Sequence, residues 1–223
     1  MSDHIIIYSH GFGVRKDGLG LFTDIAATFP DAEHIMFDYN EVDKAKNALI
    51  VTPFDRQVAM LNEVFDKTRR DNPSAIIDLI CHSQGGVASS LAKLRARKTI
   101  LLAPPINMGD ATNKLRKYFE KYPGTIIEDD GTAIVPRRDG SFTIIRSDYW
   151  QNYDELPEIP TLLGELNTLT DLTIIGATND EVLGENNYSV LDDSIKIIEI
   201  ESDHNFKNEA RAKVIDVIKE VIK

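Results

Sequence analysis

The sequence predicts an α/β domain with a mostly parallel sheet of six strands, helices on both faces and a small insertion that contains a β-hairpin. Short apolar runs rich in β-branched residues alternate with longer segments of helical periodicity. This alternation is typical of parallel sheets covered by helices. The chain has 223 residues and is 42% hydrophobic, which is enough for one domain with a sizeable core.

The six predicted strands are continuous apolar runs, each followed by turn or loop residues. They cover residues 5–8, 34–37, 76–81, 99–103, 172–176 and 195–200. The predicted core helices cover residues 20–29, 53–70, 85–95 and 205–223. The last helix has apolar side chains at helical spacing, so that one of its faces is expected to pack against the sheet.

Residues 105–167 interrupt this alternation and are predicted to form a lid insertion between the fourth and fifth core strands. The α/β core would then comprise residues 1–104 and 168–223. Within the insertion we expect an amphipathic helix at residues 112–122 and a further short helix near the end. Asp139-Gly140 lies between two strand-like runs, which predicts a hairpin with a type I′ turn.

Composition and charge exclude several classes of function. The 36 acidic and 25 basic residues give a formal net charge of -11, so the surface repels nucleic acid.

No apolar run is long enough to span a bilayer, and no secretory signal precedes the first strand, so we expect no membrane partner and a cytoplasmic location. Cys81 is the single cysteine, which excludes a disulfide framework, and no metal or cofactor is expected. The chain is expected to be a monomer or a homodimer.

The most specific motif is ICHSQGG at residues 80–86, which follows a buried strand and precedes a helix. It has the form of a nucleophile elbow, in which Ser83 presents its hydroxyl on a tight strand-to-helix turn. Gly85 is explained by the preceding strand, which a side chain there would strike. Cys81 replaces the usual glycine of the motif and is predicted to be a buried packing thiol. A plain strand-to-helix turn is the alternative interpretation.

The segment HGFG at residues 10–13 ends the first strand in a glycine-rich turn of the kind that supplies an oxyanion amide. We therefore predict that the backbone N–H groups of Phe12 and Gln84 form an oxyanion hole. The helix that begins after Ser83 adds a positive dipole end beneath the reacting carbon.

The acid of a catalytic triad is expected after the fifth core strand, at the carboxyl edge of the sheet. Asp180 has this position. Two other carboxylates compete with it. Asp171 lies at the opposite end of the strand, and Glu181 would point away if Asp180 points inward. Asp180 is therefore the predicted acid.

The base is expected after the last core strand, where His204 stands just before the C-terminal helix. This position allows His204 to take a proton from Ser83 while its other nitrogen bonds Asp180. The chain order serine, aspartate, histidine agrees with this assignment. The remaining histidines are interpreted as structural groups: His4 and His34 on the surface at strand beginnings, His10 and His82 as braces of the two turns.

The segments HGFG, FDYN, CHSQGGVASSLA, ILLAPP, LTIIGATNDEV and SDHNF, in this order and spacing, resemble the α/β-hydrolase superfamily. Within it they are most similar to small bacterial carboxylesterases of the cinnamoyl and feruloyl esterase type. The resemblance covers almost all of the chain outside the insertion. It implies the α/β-hydrolase fold, the triad Ser83, Asp180 and His204, and an insertion that covers the acyl or alcohol pocket. Residues 40–44 depart from the family, which commonly has a glycine-rich loop there.

The expected activity is hydrolysis of small-molecule carboxylic esters through an acyl-enzyme, and four alternatives are considered beside it. The same triad also suits a serine peptidase or a thioesterase, because fold and machinery do not fix the substrate. A lipase is disfavoured by the charged lid, and a binding protein without turnover by the presence of every catalytic part. Tyr149, Trp150 and Tyr153 are candidates for a pocket wall or for core packing, and residues 128–130 for amine recognition in a peptidase.

Overall fold

The computed structural model describes residues 3–184 and 186–223, with side chains described for all of these except residues 108–114. Its strands and helices follow one another as β1 (His4–Ser9), α1 (Leu21–Ala26), β2 (Glu33–Met36), β3 (Glu41–Asp43), β4 (Ala48–Ile50), α2 (Phe54–Asp71), β5 (Ile76–His82), α3 (Gln84–Ala92), β6 (Lys98–Leu102), α4 (Met108–Lys121), β7 (Ile126–Ile127), β8 (Ala133–Pro136), β9 (Phe142–Ile145), α5 (Ser147–Asp154), α6 (Ile159–Asn167), β10 (Asp171–Ala177), β11 (Lys196–Ile200) and α7 (Glu209–Ile222).

Six strands form a parallel sheet in the order β2-β1-β5-β6-β10-β11. These are the six strands that the apolar runs predicted, and the predicted fold class is confirmed. The four predicted core helices are also present as α1, α2, α3 and α7, with ends displaced by up to four residues. The predicted lid helices correspond to α4 and α6. Helix α5 was not predicted, because its sequence SDYWQNYD is poor in strong helix formers.

The sheet is apolar on both faces because helices cover both of them. Successive residues of a strand point in opposite directions, so Ile5 and Ile7 pack beneath α2, α3 and α6, whereas Ile6 and Tyr8 pack beneath α1 and α7. This double burial explains why the strands are continuous apolar runs rather than alternating ones. In the described part of the chain no helix is both long and apolar enough to cross a membrane.

A second sheet of five short strands has the order β3-β4-β9-β8-β7. Three of its strands belong to the predicted insertion, but β3 and β4 come from residues 41–50, outside it. The parallel pair β4 and β9 joins the two parts, and the Val51 N–H extends it by a 2.9 Å hydrogen bond to the Ile144 carbonyl. The sequence did not predict β3 and β4, because three residues are too few to show a periodicity. The division into core and lid stays a prediction.

The hairpin between β8 and β9 is present, but the predicted type I′ turn is wrong. That turn requires a positive φ at both central residues, and here Gly140 alone has one, at +80°. The Gly140 N–H bonds the Arg137 carbonyl at 3.1 Å, and the Arg137 N–H bonds the Ser141 carbonyl at 2.8 Å. This pattern is a type I turn followed by a left-handed glycine. The Asp139 carboxylate supports it by accepting a 3.0 Å hydrogen bond from the Ser141 N–H.

The close approach of α3 to the sheet depends on Gly85. A Cβ atom there would lie 2.1 Å from the Ser9 carbonyl oxygen and 2.8 Å from the His10 carbonyl oxygen. The predicted clash with the preceding strand, β5, is therefore wrong. The clash would be with the end of β1, the strand that neighbours β5 in the sheet.

We expect Gly85→Ala to lower the free energy of unfolding by about 3 kcal/mol or more, because the new methyl group cannot fit without moving backbone. Gly164→Ala in α6 is the matched control, since a Cβ atom at Gly164 meets nothing within 4 Å. This control should be neutral or stabilising by up to about 1 kcal/mol. Urea unfolding of the two variants measures the difference, and equal stabilities would contradict the packing described for α3.

Candidate active site

Ser83 occupies the turn between β5 and α3 in a strained backbone conformation, with φ 52° and ψ -125°. Positive φ is costly for a residue with a side chain and persists where the surroundings enforce it. Here β6 enforces it, because the Ser83 N–H donates a 2.8 Å hydrogen bond to the Leu102 carbonyl, while the Gly86 N–H bonds the Ser83 carbonyl at 2.9 Å. Ser83 thus has the backbone of a nucleophile elbow at the carboxyl end of the sheet.

The glycine-rich turn after β1 lies directly against Ser83. A Cβ atom at Gly11 would stand 3.1 Å from the Ser83 Cβ, so glycine is needed for this contact. The turn carries the Phe12 N–H, and the Gln84 N–H follows Ser83 at the start of α3. No acceptor for either N–H is found among the described atoms of residues 3–184 and 186–223. Two amides without a partner among the described atoms therefore adjoin the serine turn.

His10 fixes the start of this turn. Its Nε2 accepts a 2.9 Å hydrogen bond from the Tyr39 N–H, so the proton lies on Nδ1, which bonds the Gly11 carbonyl at 2.9 Å. Burial lowers the pKa of His10, which keeps the imidazole neutral and this tautomer in place. His10 therefore braces the turn, as the sequence predicted.

The segment FDYN after β2 holds the rest of the turn. Arg15 forms two 2.8 Å hydrogen bonds with the carboxylate of Asp38, and the Lys16 N–H adds a third at 2.7 Å. The Arg15 guanidinium holds the pKa of Asp38 below its usual range, so the pair stays ionised near neutral pH. The Asn40 amide donates to the Val14 carbonyl at 2.9 Å. The segment FDYN is part of the family resemblance, but its role in holding this turn was not predicted from the sequence.

The insertion contacts both halves of the predicted oxyanion hole. Arg137 donates a 3.0 Å hydrogen bond to the Gly13 carbonyl, and the Tyr149 hydroxyl donates at 2.8 Å to the side-chain oxygen of Gln84. Tyr149 is fully buried in the core together with Trp150 and Tyr153. Core packing, rather than a pocket wall, is therefore the role of these three aromatic residues.

Asp180 and His204 meet at the carboxyl edge of the sheet through a 2.7 Å hydrogen bond between Asp180 Oδ2 and His204 Nδ1. The other carboxylate oxygen accepts hydrogen bonds from the N–H groups of Val182 and Leu183, at 2.9 and 2.8 Å. Both side chains are almost completely buried. Because a carboxylate only accepts hydrogen bonds, His204 carries its proton on Nδ1 and keeps a lone pair on Nε2.

The two carboxylates that competed with Asp180 have other partners. Asp171 begins β10 at the opposite end of the strand and pairs with Lys98 at 3.4 Å. Glu181 was predicted to point away from the site, and this prediction is wrong. Its Oε2 accepts a 3.0 Å hydrogen bond from the His204 backbone N–H. The two acids thus divide the contacts, one to the ring and one to the backbone of the same histidine.

His82 contacts the backbone of His204, a contact that was not predicted from the sequence. Its Nε2–H donates a 2.9 Å hydrogen bond to the His204 carbonyl, and the two rings are 5.0 Å apart. Burial, followed by the nearby His204, lowers the pKa of His82 to about 3. Arg211 extends the support by donating to the carbonyls of Phe206 and Asn205, at 2.9 and 3.2 Å.

The described residues place the three predicted catalytic groups on adjoining turns but show no hydrogen bond between the Ser83 hydroxyl and His204. Such bonds are often long in free enzymes and form with substrate. Ser83 is 9% exposed and His204 5%, so both side chains are almost covered.

Two cavities, of about 520 and 330 Å³, are lined by other residues, at the end of β10 and along α7. In the described residues no group of three or more His, Cys, Asp or Glu side chains is arranged to hold a metal ion.

Comparison with solved structures shows the fold. The chain superimposes on Est1E from Butyrivibrio proteoclasticus with bound ferulic acid (TM-score 0.71, 14% identity, 98% of this chain and 88% of that one). It also superimposes on polyneuridine aldehyde esterase (TM-score 0.61, 14% identity, 99% of this chain and 99% of that one). A third match is the α/β hydrolase GrgF from Penicillium sp. sh18 (TM-score 0.66, 12% identity, 98% of this chain and 88% of that one). No protein-family model and no curated protein sequence matches the chain. At these identities the likeness establishes the α/β-hydrolase fold alone.

We expect the Cys81 thiol to be inert in the native protein. Cys81 is fully buried, and burial raises the pKa of its thiol to about 12. At about pH 8 roughly one thiol in ten thousand is then ionised, and the thiolate is the reactive form. Reaction with a thiol reagent should follow global unfolding and reach one equivalent only in denaturant. Rapid modification of the folded protein would show that Cys81 is accessible and reopen it as a nucleophile.

Proposed function

We propose that this protein is a serine hydrolase that cleaves carboxylic esters of small molecules, with Ser83 as nucleophile, His204 as general base and Asp180 as the acid that orients it. The observation that carries the proposal is the buried 2.7 Å hydrogen bond between Asp180 and His204, beside a serine held at positive φ. The bond selects the tautomer of His204 whose Nε2 can accept a proton, which is the state that a general base requires.

The proposed reaction begins when His204 Nε2 takes the hydroxyl proton of Ser83 and Ser83 Oγ attacks the ester carbonyl. The N–H groups of Phe12 and Gln84 bind the oxyanion of the tetrahedral intermediate. His204 then gives its proton to the leaving alcohol, and an acyl-enzyme remains on Ser83. Water, deprotonated by the same histidine, releases the carboxylic acid. Asp180 stabilises the imidazolium that forms in both steps, and no cofactor takes part.

Two observations favour esters over amides. One solved structure on which the chain superimposes is an esterase by name, and another, Est1E, holds ferulic acid. In addition, the acidic residues 128–130, the candidate group for amine recognition in a peptidase, lie exposed on the turn between β7 and β8. There Asp130 accepts a 2.8 Å hydrogen bond from the Thr132 N–H, so turn formation accounts for this carboxylate.

Ser83→Ala should abolish ester hydrolysis, which is best measured with p-nitrophenyl esters from acetyl to octanoyl. We expect the variant to lose about a thousandfold or more in kcat, because the oxyanion amides and the base remain without a nucleophile. Ser90→Ala is the matched control, since Ser90 is also buried on α3 and its hydroxyl donates a 2.9 Å hydrogen bond to the Gly86 carbonyl. The control should stay within about twofold of the parent.

The outcomes separate the alternatives. Equal activity of Ser83→Ala and the parent would show that another group is the nucleophile. A parent that hydrolyses thioesters or peptide amides but no oxygen ester would replace the esterase by one of those activities. A parent inactive on all three classes would leave a binding protein of this fold.

Asp180→Asn should retain the fold and lower kcat by about a thousandfold or more, because the amide favours the tautomer of His204 with its proton on Nε2. The comparison is Asp171→Asn, which removes a carboxylate from the other end of the same strand and should leave kcat within about twofold. Ester hydrolysis by the two variants, with circular dichroism to verify folding, makes the measurement. Similar kcat values would remove Asp180 from the triad.

A further inference from the structure

The peptide groups on both sides of the His204 Cα atom have side-chain partners on other segments of the chain. Glu181 accepts from the N–H, and His82 donates to the carbonyl, at 3.0 and 2.9 Å. Of these two partners, His82 immediately precedes Ser83 and ends β5. Its side-chain hydrogen bond therefore joins the residue just before Ser83 to the loop that carries His204, which is 122 positions away in the sequence.

We propose that His82 is a positioning residue of the hydrolytic site, which holds the His204 loop at a fixed distance from the Ser83 elbow. The inference rests on the proposed function, because positioning has a kinetic consequence only if Ser83 and His204 react together. Misplacement of a catalytic group by about 1 Å can cost about a hundredfold in rate, so one well-placed hydrogen bond has a large effect.

The surroundings of His82 suit this role. A Cβ atom at Gly11 would lie 3.4 Å from His82 Nδ1 and 3.1 Å from the Ser83 Cβ, so the ring also lies against the glycine-rich turn. His82 is only 4% exposed and is thus buried between that turn and the His204 loop. One side chain consequently contacts the segments that carry the oxyanion donor and the base.

The histidine must also stay uncharged, because His204 becomes a cation during the proposed reaction. A lysine or arginine at this place would donate the same hydrogen bond but repel the imidazolium. Burial lowers the pKa of His82 to about 3, so the side chain is a neutral donor at the pH of any ordinary assay. Its contribution is then geometric and does not vary with pH.

The decisive comparison is His82→Gln against His82→Asn, which have the same amide group but a different reach. The glutamine amide nitrogen can occupy the place of the histidine Nε2 and donate to the His204 carbonyl, whereas the shorter asparagine cannot. We expect His82→Gln to keep kcat within about fivefold of the parent and His82→Asn to lose about 10- to 100-fold, with KM changed less than about threefold in both. The loss should be constant from about pH 6 to about pH 9.

His34→Asn is the control for loss of a histidine as such. His34 Nε2 donates a 2.9 Å hydrogen bond to the Phe29 carbonyl, a bond of the same kind on β2, which is the edge strand of the sheet. It should leave kcat within about twofold. Equal kcat values for His82→Gln and His82→Asn, or a loss in KM alone, would overturn the positioning role.

A spectroscopic measurement decides the question without turnover. The Nδ1 proton of His204, held by Asp180, should give a far-downfield proton resonance that shifts or broadens in His82→Asn and is restored in His82→Gln. An unchanged resonance in a folded His82→Asn variant contradicts the inference. A parent that hydrolyses no ester contradicts the proposed function instead, and the resonance still reports whether His82 positions His204.

Discussion

The approach of α3 to the end of β1 is the constraint on which the site depends. A glycine at position 85 lets the helix backbone come within contact of the Ser9 carbonyl, and the Ser9 hydroxyl bonds the Gly85 carbonyl at 2.9 Å across the same gap. The approach accompanies a sharp turn at Ser83, whose positive φ is held by the hydrogen bond of its N–H to the Leu102 carbonyl of β6. It also brings the turn after β1 against the serine, so that the proposed nucleophile and the proposed oxyanion donors share one small region.

The proposed base, His204, is held in a different way, by hydrogen bonds between its polar groups and three side chains. The ring, the N–H and the carbonyl of His204 bond Asp180, Glu181 and His82 respectively. A buried group left without its partner costs about 1–3 kcal/mol, so each contact restricts the loop to one position. The local backbone alone would not do this, since Phe206 follows with a positive φ of 49°, which requires support from its surroundings.

Residues of the predicted insertion contact this arrangement. Tyr149 packs in the core and bonds the side chain of Gln84, while Arg137 reaches the carbonyl of Gly13. The second sheet joins the hairpin of the insertion to residues 41–50 through the parallel pair of β4 and β9. Displacement of the hairpin would therefore disturb the turn that carries the Phe12 amide.

The sequence by itself determined the parallel sheet, the core helices and the positions of Ser83, Asp180 and His204 within it, because these depend on local apolar runs and on the order of motifs along the chain. Tertiary structure alone decided the partners. The short strands β3 and β4 form through pairing with each other and with β9. The backbone that a side chain at position 85 would strike belongs to the end of β1 rather than to β5. The contacts of Glu181 and His82 with the His204 backbone join residues 23 and 122 positions apart. No local pattern encodes such contacts, since they arise only when the sheet brings the ends of its strands to one edge.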